Sequence, residues 1–369
     1  MRPPKPTARR SAGTFPSAPT SEGKPARFEG QLSFGSCGQQ CPRSGPGLTE
    51  ALRLLVALST PLLAGAATFQ EDFATDPLAH GWRVFGNPDL FHWNATNQDL
   101  EVTWDSSQTN SYFQFPLGTI AARDDDFSFA FDLLLEDIAA GVNPAKPSTF
   151  ELAVGLQNWV NADRTNFFRG TASTSPNLVE FDFFPDTGFG PTVWPSMWST
   201  NSSLNYNGST DYTILDLPVG VVMRITLSYA TSNQTLSTSI TTNGQPLGLV
   251  HDVTNSPSFT DFRVGTFAIE SYSEAGQDGS LLAHGVVDNI TLTMPPPPVQ
   301  QLTAGFQQGA WGAEFISRSN WVYTLQRTVD LRSWAAASVP MSGTGTNLFL
   351  ADTNAPTAAA FYRVRAERP

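Results

Sequence analysis

The sequence predicts an all-β protein, a large antiparallel sandwich followed by a much smaller one, and three observations carry that expectation. Apolar residues recur with period two, as they do on a strand with one buried face. In FSFAFDLLLE they are Phe127, Phe129, Phe131, Leu133 and Leu135, in FELAVGLQ Phe150, Leu152, Val154 and Leu156, and in VVMRITLSY Val221, Met223, Ile225, Leu227 and Tyr229. No segment of useful length shows helical spacing, and Asn, Asp, Gly, Pro and Ser fill the gaps between runs. MPPPPVQ, residues 294–300, cannot join a sheet and behaves as a stiff spacer that divides the chain.

Taken from the N-terminus, residues 1–47 are rich in Pro, Gly, Ser, Arg and Lys and hold both cysteines, Cys37 and Cys41. They read as a disordered or untranslated extension. Residues 48–67 read as a signal peptide: Arg53 precedes an apolar run from Leu54 to Leu63, which ends in Ala64-Gly65-Ala66. That run is too short, and too interrupted by Pro61, to span a bilayer. The expected mature chain lacks cysteine, and from residue 68 onward it sets 12 Arg and 1 Lys against 30 Asp and Glu, a net charge of −17. Nucleic acid and anionic lipid surfaces repel such a chain. Scarce Lys beside plentiful Arg and Ala fits a GC-rich bacterial genome, so the expected product is secreted or held at a bacterial cell surface.

Within residues 68–294, the large sandwich, VEFDFFPD (179–186) is the most informative stretch. Val179, Phe181 and Phe183 alternate with Glu180 and Asp182, so one strand face carries two carboxylates above an apolar underside. A catalytic pair, a metal cradle, a sugar-binding rim and a solvated surface all remain open readings of that face. The stretch resembles two branches of the concanavalin A-like jelly roll. One is the laminarinase-type glucanases, whose motif E-x-D-x-x-E matches Glu180 and Asp182 but meets Phe184 or Pro185 where its second Glu belongs. Neither can donate a proton, so this resemblance implies no catalytic residue here. The other is the legume-type lectins, whose strand and loop are similar to Val179 through Asp186. That resemblance implies Ca²⁺ held by Asp182, the carbonyl of Phe184 and Asp186, with Glu180 serving a transition metal. The Asp and His that continue the lectin loop fall near Pro191 and Ser196 here, which implies loss of the transition-metal site.

Two further features belong to the same domain. In HGVVDNITLT, Asp288 shares parity with Val286, Ile290 and Leu292, which points it toward the core. There it accepts backbone N–H groups or joins Glu71 or Asp72 in a structural Ca²⁺ site, as the resemblance to carbohydrate-binding modules of this fold implies. Trp194 and Trp198 lie in WPSMW, a Pro- and Ser-rich loop where an indole face can stack on a sugar ring, or fold back over the sandwich edge. Trp82, Trp93, Trp104 and Trp159 read as core, and no nucleophile elbow, phosphate loop or zinc motif is present.

Residues 295–300 form the proline linker, and residues 301–369 read as a small immunoglobulin- or fibronectin-like sandwich with Trp321, Tyr323, Leu325, Trp334 and Phe361 in its core. Tyr323, Asp330-Leu331-Arg332-Ser333-Trp334 and Phe361 to Val364 resemble the module that ends many secreted verrucomicrobial proteins, which implies an accessory unit without chemistry. The expected function is non-catalytic carbohydrate binding or adhesion toward a polysaccharide or glycan. The candidate sugar-binding residues are Glu180, Asp182, Asp186, Trp194 and Trp198, and the candidate Ca²⁺ ligands are Asp182, Phe184, Asp186, Asp72 and Asp288. A glycoside hydrolase or lyase and an inert envelope component are the alternatives.

Overall fold

A computed structural model describes residues 67–164, 177–199, 212–255, 259–307, 309–356 and 359–369. The N-terminal extension with Cys37 and Cys41, and the apolar run of the expected leader, lie outside the described residues. Among the described residues no helix is long and apolar enough to cross a membrane.

The larger unit is two antiparallel sheets packed face to face. The first, of nine strands, runs in space β14 (Gln245–Pro246), β13 (Thr235–Thr242), β12 (Val222–Ala230), β6 (Phe127–Ala140), β17 (Leu281–Met294), β4 (Asp99–Asp105) and β3 (Phe91–Asn94). On it, β1 (Ala67–Glu71) pairs with β17 and β15 (Val253–Thr254) with β13. The second, of eight, runs β11 (Thr213–Ile214), β9 (Thr192–Val193), β8 (Leu178–Phe184), β7 (Leu152–Gln157), β16 (Arg263–Ser271), β5 (Ser111–Ala122) and β2 (Arg83–Phe85), with β10 (Ser196–Trp198) also on β8. Neighbours in space are mostly distant in sequence, the mark of crossing connections.

Period-two alternation places the core as expected. Phe127, Phe129, Phe131, Leu133 and Leu135 of β6 and Met223, Ile225, Leu227 and Tyr229 of β12 are all buried. They meet Phe150, Leu152, Val154 and Leu156 around β7 and Val179, Phe181 and Phe183 of β8. The sheets touch through ring pairs such as Phe131 with Phe181, centroids 6.0 Å apart, and Phe129 with Phe267, also 6.0 Å. Each such ring stabilises by about 1.5–3 kcal/mol through burial alone. Val221 departs from the expected set: it precedes β12 and is exposed. Trp82 and Trp104 are buried, whereas Trp93 and Trp159 are half-buried against the core's edge.

Asp288 also departs from expectation. Along β17 the inward positions are Leu281, Ala283, Gly285 and Val287, then Ile290, Leu292 and Met294. A β-bulge between Asp288 and Thr291, with Asn289 at φ 49°, inserts one residue and reverses the alternation. Asp288 therefore faces outward beside Asp132 of β6, and the parity drawn from Ile290 and Leu292 does not reach across the bulge.

Past β17 the chain forms two smaller sheets. One orders β18 (Val299–Gln307), β19 (Ala310–Ser317) and β23 (Asn347–Asp352); the other orders β21 (Ala335–Ala336), β20 (Val322–Thr328) and β22 (Met341–Ser342), with β24 (Phe361–Glu367) on β20. Their shared core is Trp321, Tyr323 and Leu325 with Phe315, Leu348 and Leu350. Trp334 and Phe361 fall outside it. Trp334 carries the Arg363 guanidinium 4.2 Å from its ring centroid, and Phe361 is exposed, because β24 opens its first residue to solvent. Tyr323 is buried, and its hydroxyl donates to the Pro298 carbonyl at 2.7 Å and accepts from the Arg318 N–H at 2.7 Å. Burial pushes that phenol up to about 12.

Candidate functional site

β8 turns Glu180 and Asp182 to the face of the second sheet that points away from the core, because Val179, Phe181 and Phe183 take the inner face. The two carboxylates share a side, as alternation requires, but that side is covered: Glu180 is 0% and Asp182 1% exposed. A buried carboxylate must be compensated. The Tyr272 hydroxyl donates to Glu180 and the Ser196 hydroxyl donates to Asp182.

Pairing registers extend this polar face across four strands. Asp182 stands opposite Ala153, which stands opposite Glu270, which stands opposite Tyr112. Glu180 stands opposite Gly155, followed by Ala268 and Gln114. Glu270 carries no sequence signature of a site. It lies in RVGTFAIES, where the acid is one position in an apolar run, and only strand pairing brings it to the face of β8. Tyr112 is buried there with no hydrogen-bond partner for its hydroxyl among the described residues. Burial pushes its phenol well above the usual tyrosine range, and the charges of Glu270, Glu180 and Asp163 add to the rise. The Gln157 amide is likewise buried without a described partner.

At one end of this face lies a cleft of about 290 Å³, near the small end of ligand-sized cavities. Four segments build it: Ser148–Glu151 ahead of β7, Phe184 at the end of β8, the β9–β10 stretch, and Gln277–Gly279 ahead of β17. The first and last are locked by hydrogen bonds from Ser148 N–H to the Asp278 carbonyl, 3.2 Å, and from Ser280 N–H to the Ser148 carbonyl, 3.0 Å. Gly279 permits that approach, since a Cβ there would fall 1.9 Å from the Thr149 carbonyl oxygen.

Trp194 and Trp198 both line this cleft but differ in kind. Trp198 is 2% exposed and belongs to the hydrophobic core, whereas Trp194 is half-buried and presents part of its indole. Trp194 donates its backbone N–H to the Asp182 carbonyl at 2.8 Å, and its ring meets Phe184 at 6.0 Å and Tyr212 at 6.3 Å between centroids. Ser196 lines the cleft and reaches Asp182 behind it, so Asp182 supports the wall without forming it. Glu151, Gln277 and Asp278 were not anticipated. They supply the carboxylates and the amide of the lining beside the hydroxyls of Ser148, Thr149 and Ser196, and no residue pattern around them signals a shared site.

Asp186 lies past the end of β8 and is exposed; its carboxylate accepts the Gly188 N–H at 2.9 Å, closing a local turn. Phe184 supplies a ring to the cleft. Among the described residues no group of three or more His, Cys, Asp or Glu is placed to hold a metal. The lectin resemblance implies a calcium cradle of Asp182, the Phe184 carbonyl and Asp186; here the buried Asp182 carboxylate takes the Ser196 hydroxyl, and the exposed Asp186 carboxylate takes the Gly188 N–H. In the other candidate set each carboxylate is likewise met by hydrogen bonds of its own. Asp72 accepts the Ala74 N–H at 3.1 Å, and Asp288 accepts from its neighbour Asn289, 2.7 Å from the backbone nitrogen. Glu71 is taken up by the Phe73 N–H and the Trp82 indole, both at 2.9 Å. The first and last strands of the sheet are tied by the ladder from Ala67–Met294 to Glu71–Ile290.

No family model matches the chain, and no curated protein matches it. Solved structures do. Peanut lectin with a 9mer peptide is 14% identical, with 63% of this chain and 99% of that chain covered and a TM-score of 0.38. The Emp47p carbohydrate recognition domain is 10% identical over 63% and 97%, TM-score 0.41. The Lotus tetragonolobus seed lectin is 13% identical over 63% and 100%, TM-score 0.41. The likeness is to lectin-type β-sandwich domains, and at these values it assigns no ligand to this chain.

Proposed function

We propose that the protein binds carbohydrate through the Trp194 cleft. One observation carries the reading: a half-buried Trp194 packed on Phe184 lines a small cleft together with the rings of Phe150 and Trp198 and with hydroxyl, amide and carboxylate side chains. Sugars pair an apolar C–H face with a rim of hydroxyls, and that lining offers a counterpart to each. Glu180 and Asp182 act from behind the wall, and Asp186 stands in the adjoining turn. The apolar run at Leu54–Leu63 and the acidic composition support an exported setting, with the C-terminal sandwich as an accessory unit.

A glycan array tests the reading, followed by titration of the best ligand against Trp194→Ala. Stacking on an aromatic face is worth about 0.5–1.5 kcal/mol beyond simple burial, so removing the indole should weaken binding about ten-fold or more. Chelator should leave binding unchanged. An array with no responding glycan, or a Trp194→Ala protein that binds as tightly as the parent, would overturn the proposal.

Glycoside hydrolysis is a second reading, favoured by Glu270 joining Glu180 and Asp182 on one sheet face two strands apart, about 10 Å from Asp182 and about 12 Å from Glu180 between Cα atoms. Release of reducing sugar that disappears in both Glu180→Gln and Glu270→Gln would put it first. The burial of all three carboxylates favours binding over hydrolysis.

A further inference from the structure

Resting on the carbohydrate reading of the Trp194 cleft, we infer that the cleft prefers a cationic sugar, a 2-amino-2-deoxyhexose, over neutral or acidic rings. Among the described residues that line it, both charged side chains are carboxylates, Glu151 and Asp278, and none is Lys or Arg. Asp278 is exposed at the rim, with no hydrogen bond to its carboxylate among the described residues. The nearest lysine in sequence, Lys146, is drawn onto Glu274, whose carbonyl accepts from its ammonium. The aromatic side of the cleft discriminates in the same sense. A ring face attracts an ammonium through its quadrupole, Trp most strongly of the three aromatic types, and repels a carboxylate or sulfate. The chain's net charge of −12 adds a field of the same sign around the cleft. An ammonium on C2 of a ring stacked against Trp194 would lie at the edge of that ring, where a rim carboxylate can meet it.

The experiment is calorimetric titration with three short oligosaccharides of one length: the glucosamine trimer, its N-acetylated form and cellotriose, with trigalacturonate as the acidic arm. Adding a cation–π contact to a rim ion pair should make the glucosamine trimer about ten-fold tighter than cellotriose at low salt. Trigalacturonate should bind more weakly than either. Asp278→Asn should narrow the preference. Trp194→Ala should abolish it, whereas bulk attraction between an acidic protein and a cationic sugar would survive that change. Equal or tighter binding of cellotriose or trigalacturonate would overturn the inference while leaving the carbohydrate reading intact. Absence of binding by all four would overturn the inference, and the glycan array then decides the carbohydrate reading separately. A glucosamine preference that persists in Trp194→Ala would assign it to bulk charge and remove it from the cleft.

Discussion

Gly155 sits in the middle of β7 with its missing side chain directed at β8, and the polar face depends on that gap. A Cβ there would lie 2.1 Å from the Val179 carbonyl oxygen and 2.8 Å from the Glu180 Cα, both backbone atoms that cannot swing aside. Gly155→Ala should therefore force the two strands apart and displace Glu180 from Tyr272. The cost of overpacking is about 1–3 kcal/mol, so the melting temperature should fall by several degrees. Thermal unfolding of the variant checks this, and an unchanged midpoint would mean the strands absorb the methyl. Asp288 presents the opposite case, a charge that opposes folding at neutral pH. Burial holds its carboxyl above the usual range against the opposing hydrogen bond from Asn289, and the charges of Asp132, Asp99 and Asp72 raise it further. A carboxyl raised on folding favours the protonated native state. Its contribution is present below the unfolded pKa of about 4 and is lost as pH rises through the higher native value. Asp288→Asn should raise the melting temperature at pH 7, and the gain should shrink toward pH 3. A gain of the same size at both would remove electrostatics as its source.

At the scale of elements, strand alternation is a local property and the bulge is its exception. FSFAFDLLLE and FELAVGLQ translate directly into inner and outer faces because no residue is inserted among their apolar positions: FSFAFDLLLE runs unbroken against β12, and β7 runs unbroken against β8 and β16. HGVVDNITLT does not, since Asn289 at positive φ adds a residue and turns Asp288 outward. Asn is among the few residues that adopt this conformation readily, so the bulge left a trace in the sequence, but the trace does not say which neighbour changes face. The acidic strand divides similarly. That Glu180 and Asp182 share a side was legible from their spacing; that they lie under cover beside Glu270, Tyr112 and Gln157 was not, because those partners come from other strands. Trp194 and Trp198 lie in one short loop and both line the cleft, yet only Trp198 is buried in the core while Trp194 stays half-buried.

At the scale of the molecule, the two units are held by charge. Asp125, in the turn after β5, takes Arg318 at 2.7 Å on one oxygen and Arg368 on the other, and all three side chains are nearly buried. Arg318 also donates to the Pro296 carbonyl at 3.1 Å, and Arg263 of the larger sandwich donates to the carbonyl of Pro369 at 2.7 Å. The polyproline stretch is held by hydrogen bonds to the carbonyls of Pro296 and Pro298. Truncating one member of a buried ion pair costs about 3–5 kcal/mol, and here two guanidinium groups would lose their counterion. Asp125→Ala should loosen the small sandwich from the large one. The expected readouts are a larger radius of gyration by X-ray scattering and a separate, earlier melting transition; one unchanged transition and an unchanged radius would show that the latch contributes nothing.

The amino-acid sequence by itself determined the all-β class, the strands around FSFAFDLLLE, FELAVGLQ, VVMRITLSY and VEFDFFPD, most of the core residues these carry, and the shared face of Glu180 and Asp182. Each of these follows from side-chain alternation between near neighbours in the chain. Tertiary structure alone decided what stands over that face, which indole remains open, and how Glu151, Phe184, Trp194 and Asp278 come to surround one cleft. Those outcomes depend on which strands pair and in what register, a choice made by burying apolar faces from distant segments against one another, and no local pattern encodes it.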